Sequence, residues 1–296
     1  MNNCTKRSQS LILVCVLSLC AFAAPNAGQS GWEQLPGILE NIKTPTFPDR
    51  DFDITRFGAK ADGNTDCTEA IKQAIAQCHA SGGGRVLVPG PGSYYTGPIH
   101  LKSNVHLEVS KGATLLFSDN FMDYLPPVLV RWEGEECHGL SPLIYANNCE
   151  NIAITGQGTL QGNGKTWWNW RKRDGDPYRA ANNIKKEWSQ SHKPVAERVL
   201  AQKDFHWCPT FIGPFNGRNV LIEGLTLIDG PFWNVHPVYC QSVTVRNLTI
   251  RNHGPNGDGC NPDSCQYVLI EDCLFDTGDD CIAIKSGKNN YVRRVN

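Results

Sequence analysis

The chain has 296 residues, with 28 Lys or Arg against 29 Asp or Glu, a net charge of −1, and 13 cysteines. Near-neutral charge argues neither for nucleic acid nor for a membrane surface, and neither partner is expected. The length exceeds a typical single domain, although solenoids and large β proteins run this long as one unit.

Met1 to Ala24 carries Lys6 and Arg7, an apolar core from Leu11 to Leu19, and Ala21-Phe22-Ala23. A basic start, an apolar stretch and small residues at the end form an export signal, so residues 1–24 are expected to be removed and the protein to be secreted or periplasmic. The apolar run is too short for a permanent membrane span. A lipid anchor on Cys20 is disfavoured, because Leu19 stands where a small residue is needed. Residues 25–50 read as an N-terminal extension and 51–296 as one domain. With Cys4, Cys15 and Cys20 lost in the signal, ten cysteines remain. An even count in an exported chain permits disulfides without revealing their connectivity. No Cys-x-x-Cys spacing suggests a metal, and no cofactor is expected.

From Asp53, Ile54 to Ala59 reads as a short strand and Ala61 to Asn64 as a turn. Asp66 with Glu69 makes a capping-box pattern. Ala70, Ile71, Ala74, Ile75 and Cys78 then form one apolar face before Ser81-Gly82-Gly83-Gly84 stops the helix. Such a helix is placed to cover the exposed end of a solenoid, whose unpaired strand edges need a polar-backed cap. Val86 to Val88, Val105 to Val109, Thr114 to Phe117 and Ile152 to Ile154 read as strands of early coils.

Between Lys165 and Lys203, within an insertion spanning about 162–210, basic residues outnumber acidic ones ten to four and Trp167, Trp168, Trp170, Tyr178 and Trp188 cluster. Aromatic faces stack on sugar rings and cations pair with carboxylates, which suits an anionic polysaccharide. The alternative is a surface insertion whose tryptophans pack on the flank of the solenoid.

Further on the chain repeats itself. Val220 to Leu227, Val243 to Ile250 and Val268 to Phe275 superimpose, and Val292 opens another copy, at spacings of 23, 25 and 24 residues. Such a period marks a solenoid, and the polar and apolar alternation within each copy makes its coils of strands. Equivalent residues on stacked coils lie about 4.8 Å apart. Aligning Trp233 to Pro237, Asp258 to Pro262 and Asp279 to Ala283 sets Asp258 beside Asp279, with Asp280 adjoining, and Cys260 beside Cys281. The two cysteines are either a bridge across coils or two buried thiols, the latter favoured because unpaired Cys is readily buried. Like charges a strand spacing apart are destabilising unless something uses them. The bland reading is a solvated acidic turn. His236, one coil earlier, lines a cleft or is a structural histidine, and Lys285 either meets a substrate carboxylate or is a plain surface lysine.

Asn256-Gly257-Asp258 resembles the Asn-Thr-Asp motif, and Gly278-Asp279-Asp280-Cys281 the Gly-Asp-Asp motif, of the polygalacturonase-type glycoside hydrolases, the family 28 pectinases. Cys281 to Gly287 and the stretch from Asp53 to Gly92 extend the resemblance. It implies an all-β fold, a right-handed parallel β-helix with an N-terminal capping helix. It also implies hydrolysis of α-1,4-galacturonosidic bonds in pectin, without a metal, by a monomer whose partner is the anionic polysaccharide. Asp279 would be the proton donor and Asp258 and Asp280 would activate water, with His236, Asn256 and Lys285 as substrate-binding candidates. Crowding three carboxyls raises at least one pKa, leaving an acid beside ionised bases. Inversion needs acid and base about 6.5–9.5 Å apart. Regular strand alternation would send Asp279 and Asp280 to opposite faces, so the backbone must leave the pleat there. The family's Gly-His-Gly and Arg-Ile-Lys motifs do not occur before Asn296, so the resemblance implies a fragment, weakly active or inactive, whose catalytic coil is the least protected part of the β-helix. Pectate-lyase-like elimination, rhamnogalacturonan hydrolysis and a non-catalytic carbohydrate-binding β-helix are the other readings.

Overall fold

The computed structural model describes residues 31–169, 177–201 and 207–287, without the side chains of 177–182 and Ser189. The expected export signal and the copy opened by Val292 lie outside these residues. The coils stack into three parallel sheets, two of seven strands and one of three. The first face stacks Asp51–Asp53, Gly84–Val88, Val105–Val109, Glu150–Gly156, Arg218–Glu223, Gln241–Arg246 and Gln266–Glu271. The second stacks Asp62–Asp66, Gly92–Thr96, Ala113–Phe117, Thr159–Gln161, Thr226–Ile228, Thr249–Asn252 and Leu274–Thr277. The third joins Ile99–His100, Ile144–Asn147 and Ile212–Phe215, and continues through single bridges from Ile212 to Val235, Cys260 and Ile282. This is a right-handed parallel β-helix, the hand that parallel crossovers adopt.

The register follows from side-chain repetition. Val220, Val243 and Val268 pair in sequence, as their spacing predicts. Inside, Val86, Leu107, Ile154, Ile222 and Val245 form one buried row on the first face, and Tyr94, Leu115, Leu160, Leu227 and Ile250 another on the second. A strand slipped by one residue would turn its whole apolar row outward, so the rows lock the coils. At one corner Asn104, Asn151 and Asn219 adopt left-handed backbone with φ of 64°, 52° and 54°. Their amides bond to one another at 3.1 and 2.9 Å, a conformation that Asn tolerates better than other residues with a Cβ.

The helix Thr68–Ala80 buries Ala70, Ile71, Ala74, Ile75 and Cys78, the face expected. Its capping box does not form: Asp66 accepts the Thr68 N–H at 2.9 Å, while Glu69 turns away to Lys72 at 3.1 Å. The segment before it is also rearranged. Asp53 accepts the Thr55 N–H and coils Ile54–Phe57 into a 3-10 turn that Gly58 ends at φ 99°, so the strand is Asp51–Asp53 instead. Asp62–Asp66, expected partly as a turn, pairs with Gly92–Thr96.

Residues 43–50 form a strap across the outside of the first face. The Lys43 N–H donates to Ser242 Oγ at 2.6 Å, the Phe47 ring stacks on His106 at 5.2 Å, and the Arg50 carbonyl accepts from the Arg85 N–H at 2.8 Å. On this face the outward residues Ala153, Leu221 and Thr244 are buried as well as their inward neighbours.

Two excursions cover the third face. One is an antiparallel hairpin, Val128–Trp132 with Glu135–Gly139, turned by Glu133 and Gly134 at φ of 41° and 90°. The other is the insertion, which holds the helices Gly164–Trp168 and Pro177–Ser191. Trp167 and Trp188 are buried and the Trp168 indole donates to the Gly230 carbonyl at 3.1 Å, so these rings pack on the solenoid flank as the alternative reading had it. Trp170 and the Tyr178 side chain lie outside the described residues. Lys185 of the longer helix is buried, 2.8 Å from Glu133 and 4.2 Å from the centre of the Trp132 ring. All ten described cysteines are free thiols. Cys260 is buried, and its burial pushes the thiol far above its ordinary range, whereas Cys281 is exposed, so the expectation of two buried thiols holds for Cys260 alone.

Candidate active site

The acids lie where the chain passes from the second face to the third. In consecutive coils, Asn252 pairs with Thr277 at the end of the second sheet, and Cys260 bridges Ile282 at the start of the third. The connecting loops, 253–259 and 278–281, differ in length, which corrects the expected register. Cys260 lies beside Ile282 rather than Cys281, and the Gly259 N–H donates to the Asp280 carbonyl at 2.9 Å. Continued from Cys260 and Ile282, the pairing sets Asp258 level with Asp280. Asp279 instead faces Asn256, whose Nδ2 donates to its Oδ2 at 3.3 Å.

Buried amides hold this loop. Asn252 donates to Asn234 Oδ1 at 3.3 Å, and Asn234 donates to the Asp258 carbonyl at 2.9 Å. Asn261 donates to Asp258 Oδ2 at 2.9 Å. All three asparagines are fully buried, so each bond stands against the cost of an unpaired polar group. Their role was not anticipated, since an Asn in a turn-rich sequence reads as a turn residue until its register is known.

Gly257 sits where the backbone is crowded. A Cβ there would lie 2.7 Å from the Asn252 carbonyl oxygen and 2.9 Å from that of Gly254. Gly257→Thr is therefore expected to cost about 1–3 kcal/mol, the usual penalty of overpacking. Thermal unfolding beside the parent protein checks this, and an unchanged midpoint would refute it.

Asp258 is 3% exposed. Its Oδ2 also lies 3.4 Å from Lys285 Nζ, while Oδ1 has no hydrogen-bond partner among the described residues. Burial pushes the carboxyl above the usual range; Asn261 and Lys285 pull it down, and the charge of Asp279 pushes it up. Asp279 and Asp280 are exposed. The backbone leaves the strand after Thr277, whose hydroxyl donates to the Asp279 carbonyl at 2.9 Å, and the Asp280 N–H donates to Asp279 Oδ1 at 2.9 Å. This bend is a departure from the pleat at the two acids.

Lys285 is not a free surface lysine: its ammonium lies 4.2 Å from the centre of the Trp233 ring and faces Asp258. His236, expected among the substrate contacts, is only 2% exposed. Its ring meets Trp233 edge-on at 4.8 Å and its Nε2 is 3.5 Å from Asp263 Oδ2. Burial holds the imidazole below the ordinary histidine range, against the pull of Asp263. His236 thus belongs to a buried layer under the hairpin, with Asp263 and Arg131, rather than to the exposed patch.

A sheltered carboxylate with a cationic neighbour, next to two exposed carboxylates, can divide the work of an acid and a base. Residues 195–295 match the model of the glycosyl hydrolases family 28. A probable polygalacturonase of Vitis vinifera is 31% identical over 80% of this chain and 45% of its own length. The exo-poly-α-D-galacturonosidase of Dickeya chrysanthemi is 30% identical over 85% of this chain and 44% of its own. The crystal structure of a hyperthermoactive exopolygalacturonase from Thermotoga maritima superimposes with a TM-score of 0.83 at 42% identity, covering 87% of this chain and 59% of that one. The match to glycosyl hydrolase family 28 thus falls on the coils that carry the acids, and the chain is similar to polygalacturonases over most of its length. It spans about half the length of the curated relatives that it matches.

Proposed function

We propose that the protein hydrolyses α-1,4-galacturonosidic bonds of polygalacturonate by an inverting acid and base mechanism, acting as an exported enzyme. The observation that carries this is the placement of Asp258, Asp279 and Asp280 on two consecutive coils. Hydrolysis needs a proton for the departing oxygen and a base for the incoming water on the opposite side of the sugar. The exposed Asp279 is the donor, within reach of a glycosidic oxygen at the surface. Asp258 and Asp280, level across the two coils, take the proton from water. Asn256 orients Asp279 through its amide and is the candidate contact for a sugar hydroxyl. The matched exopolygalacturonases favour attack from a chain end.

The test is incubation with polygalacturonate, followed by the lengths and double-bond content of the products. Saturated products, released at the same rate with a calcium chelator present, are expected. Unsaturated, ultraviolet-absorbing products that vanish with the chelator would replace hydrolysis by elimination, and binding without turnover would leave a carbohydrate-binding β-helix.

A further inference from the structure

The sequence leaves Lys285 between two roles, and its surroundings favour a third. Its ammonium has two described neighbours, the Trp233 ring at 4.2 Å and Asp258 Oδ2 at 3.4 Å. The Lys285 side chain is 23% exposed and that of Asp258 4%. A cation over an aromatic face is held by the ring's negative quadrupole, most firmly by Trp. Trp233 itself is 5% exposed and is held between Phe232, stacked on it at 5.0 Å, and His236. The ammonium is thus fixed by a buried ring and aimed inward, whereas a lysine gripping a substrate carboxylate would direct its charge to the surface.

A carboxylate this sheltered tends to take up a proton, because the charged form has lost its water. As a base for water, Asp258 must be ionised. The charged groups that face it are Lys285 and Asp279 of the next coil. His236, Asp263 and Arg131 on the same face are engaged with one another. Lys285 is therefore the cation that opposes both the burial and the charge of Asp279. We propose that Lys285 is a positioning residue that keeps Asp258 ionised for the attack of water, with Trp233 fixing the ammonium in place, rather than a contact for the substrate. This inference rests on the reading of Asp258 as base.

The test follows the Asp258 carboxyl by carbon-13 NMR titration of the whole chain. It needs no turnover, so a failure to hydrolyse polygalacturonate would sink the functional reading while the titration still decides the role of Lys285. Lys285→Met is expected to raise the Asp258 midpoint by about one to three pH units, the usual effect of a lost opposite charge at this distance. Lys285→Arg should restore most of the shift, and Trp233→Leu should raise the midpoint by less than Lys285→Met does. Lys285→Gln gives the same reading with a polar side chain if the methionine variant folds poorly. In the active enzyme the acid limb of the pH–rate profile should move up by the same amount. An unmoved Asp258 midpoint in a folded neutral variant overturns the proposal, as does weaker binding of a galacturonate oligomer with the acid limb unchanged.

Discussion

Asp279→Asn is expected to lower kcat on polygalacturonate by about 10²- to 10⁴-fold, the range attributed to a positioned proton donor. The amide keeps the shape of the carboxyl but has no proton to give at working pH. Asp279 is exposed, and its two side-chain bonds fall on different oxygens, from Asn256 Nδ2 on Oδ2 and from the Asp280 N–H on Oδ1, so the amide oxygen keeps one of them and water replaces the other partner at the surface. The fold should therefore survive, with thermal unfolding close to the parent. Initial rates of reducing-sugar release, measured with a circular-dichroism spectrum of the same sample, separate lost chemistry from lost structure. Full turnover by a folded Asp279→Asn protein would move the acid elsewhere, with Asp258 the next candidate because burial raises it.

Arg131→Ala should produce the largest loss of stability. Its Nη1 donates to Asp263 Oδ1 at 2.8 Å, and neither side chain is exposed at all. The pair joins the hairpin to the third face across 132 residues of sequence, and Arg131 also packs over the Tyr239 ring at 4.9 Å. Removing one partner of a buried ion pair strands the other charge without water, at a cost of about 3–5 kcal/mol. Urea unfolding gives the difference directly, as a shift in midpoint at unchanged slope. Replacing both partners with apolar residues, Arg131→Met with Asp263→Leu, should recover most of the loss, because no buried charge is then left unpaired. A double variant as unstable as Arg131→Ala would show that the hairpin needs the ion pair itself.

The coils and the capping helix were legible because their signals are local and repeated. The valine spacing reports the coil length, each alternating segment reports which side chains turn inward, and the apolar face of Thr68–Ala80 follows the helical period. The presence of three acids in one patch was legible for the same reason. Their partners were not. Counting from acid to acid set Asp258 beside Asp279, whereas the chain is locked by its strands, and the loops between the locked strands differ in length. The hairpin was missed because Glu133-Gly134 is a weaker turn signal than Asn-Gly or Asp-Gly, and nothing in its neighbourhood repeats.

From the amino-acid order alone came the solenoid, its period, the cap and the nearness of Asp258, Asp279 and Asp280 in the chain's last coils, all properties carried by neighbouring residues or by a fixed repeat. The burial of Asp258, the inward aim of Lys285 over Trp233, the withdrawal of His236 beneath the hairpin and the pairing of Arg131 with Asp263 depended on folding. Each joins residues from different coils or from an excursion outside the repeat. No local pattern encodes such a distance, and whether a charge is exposed or sheltered is settled by what packs over it.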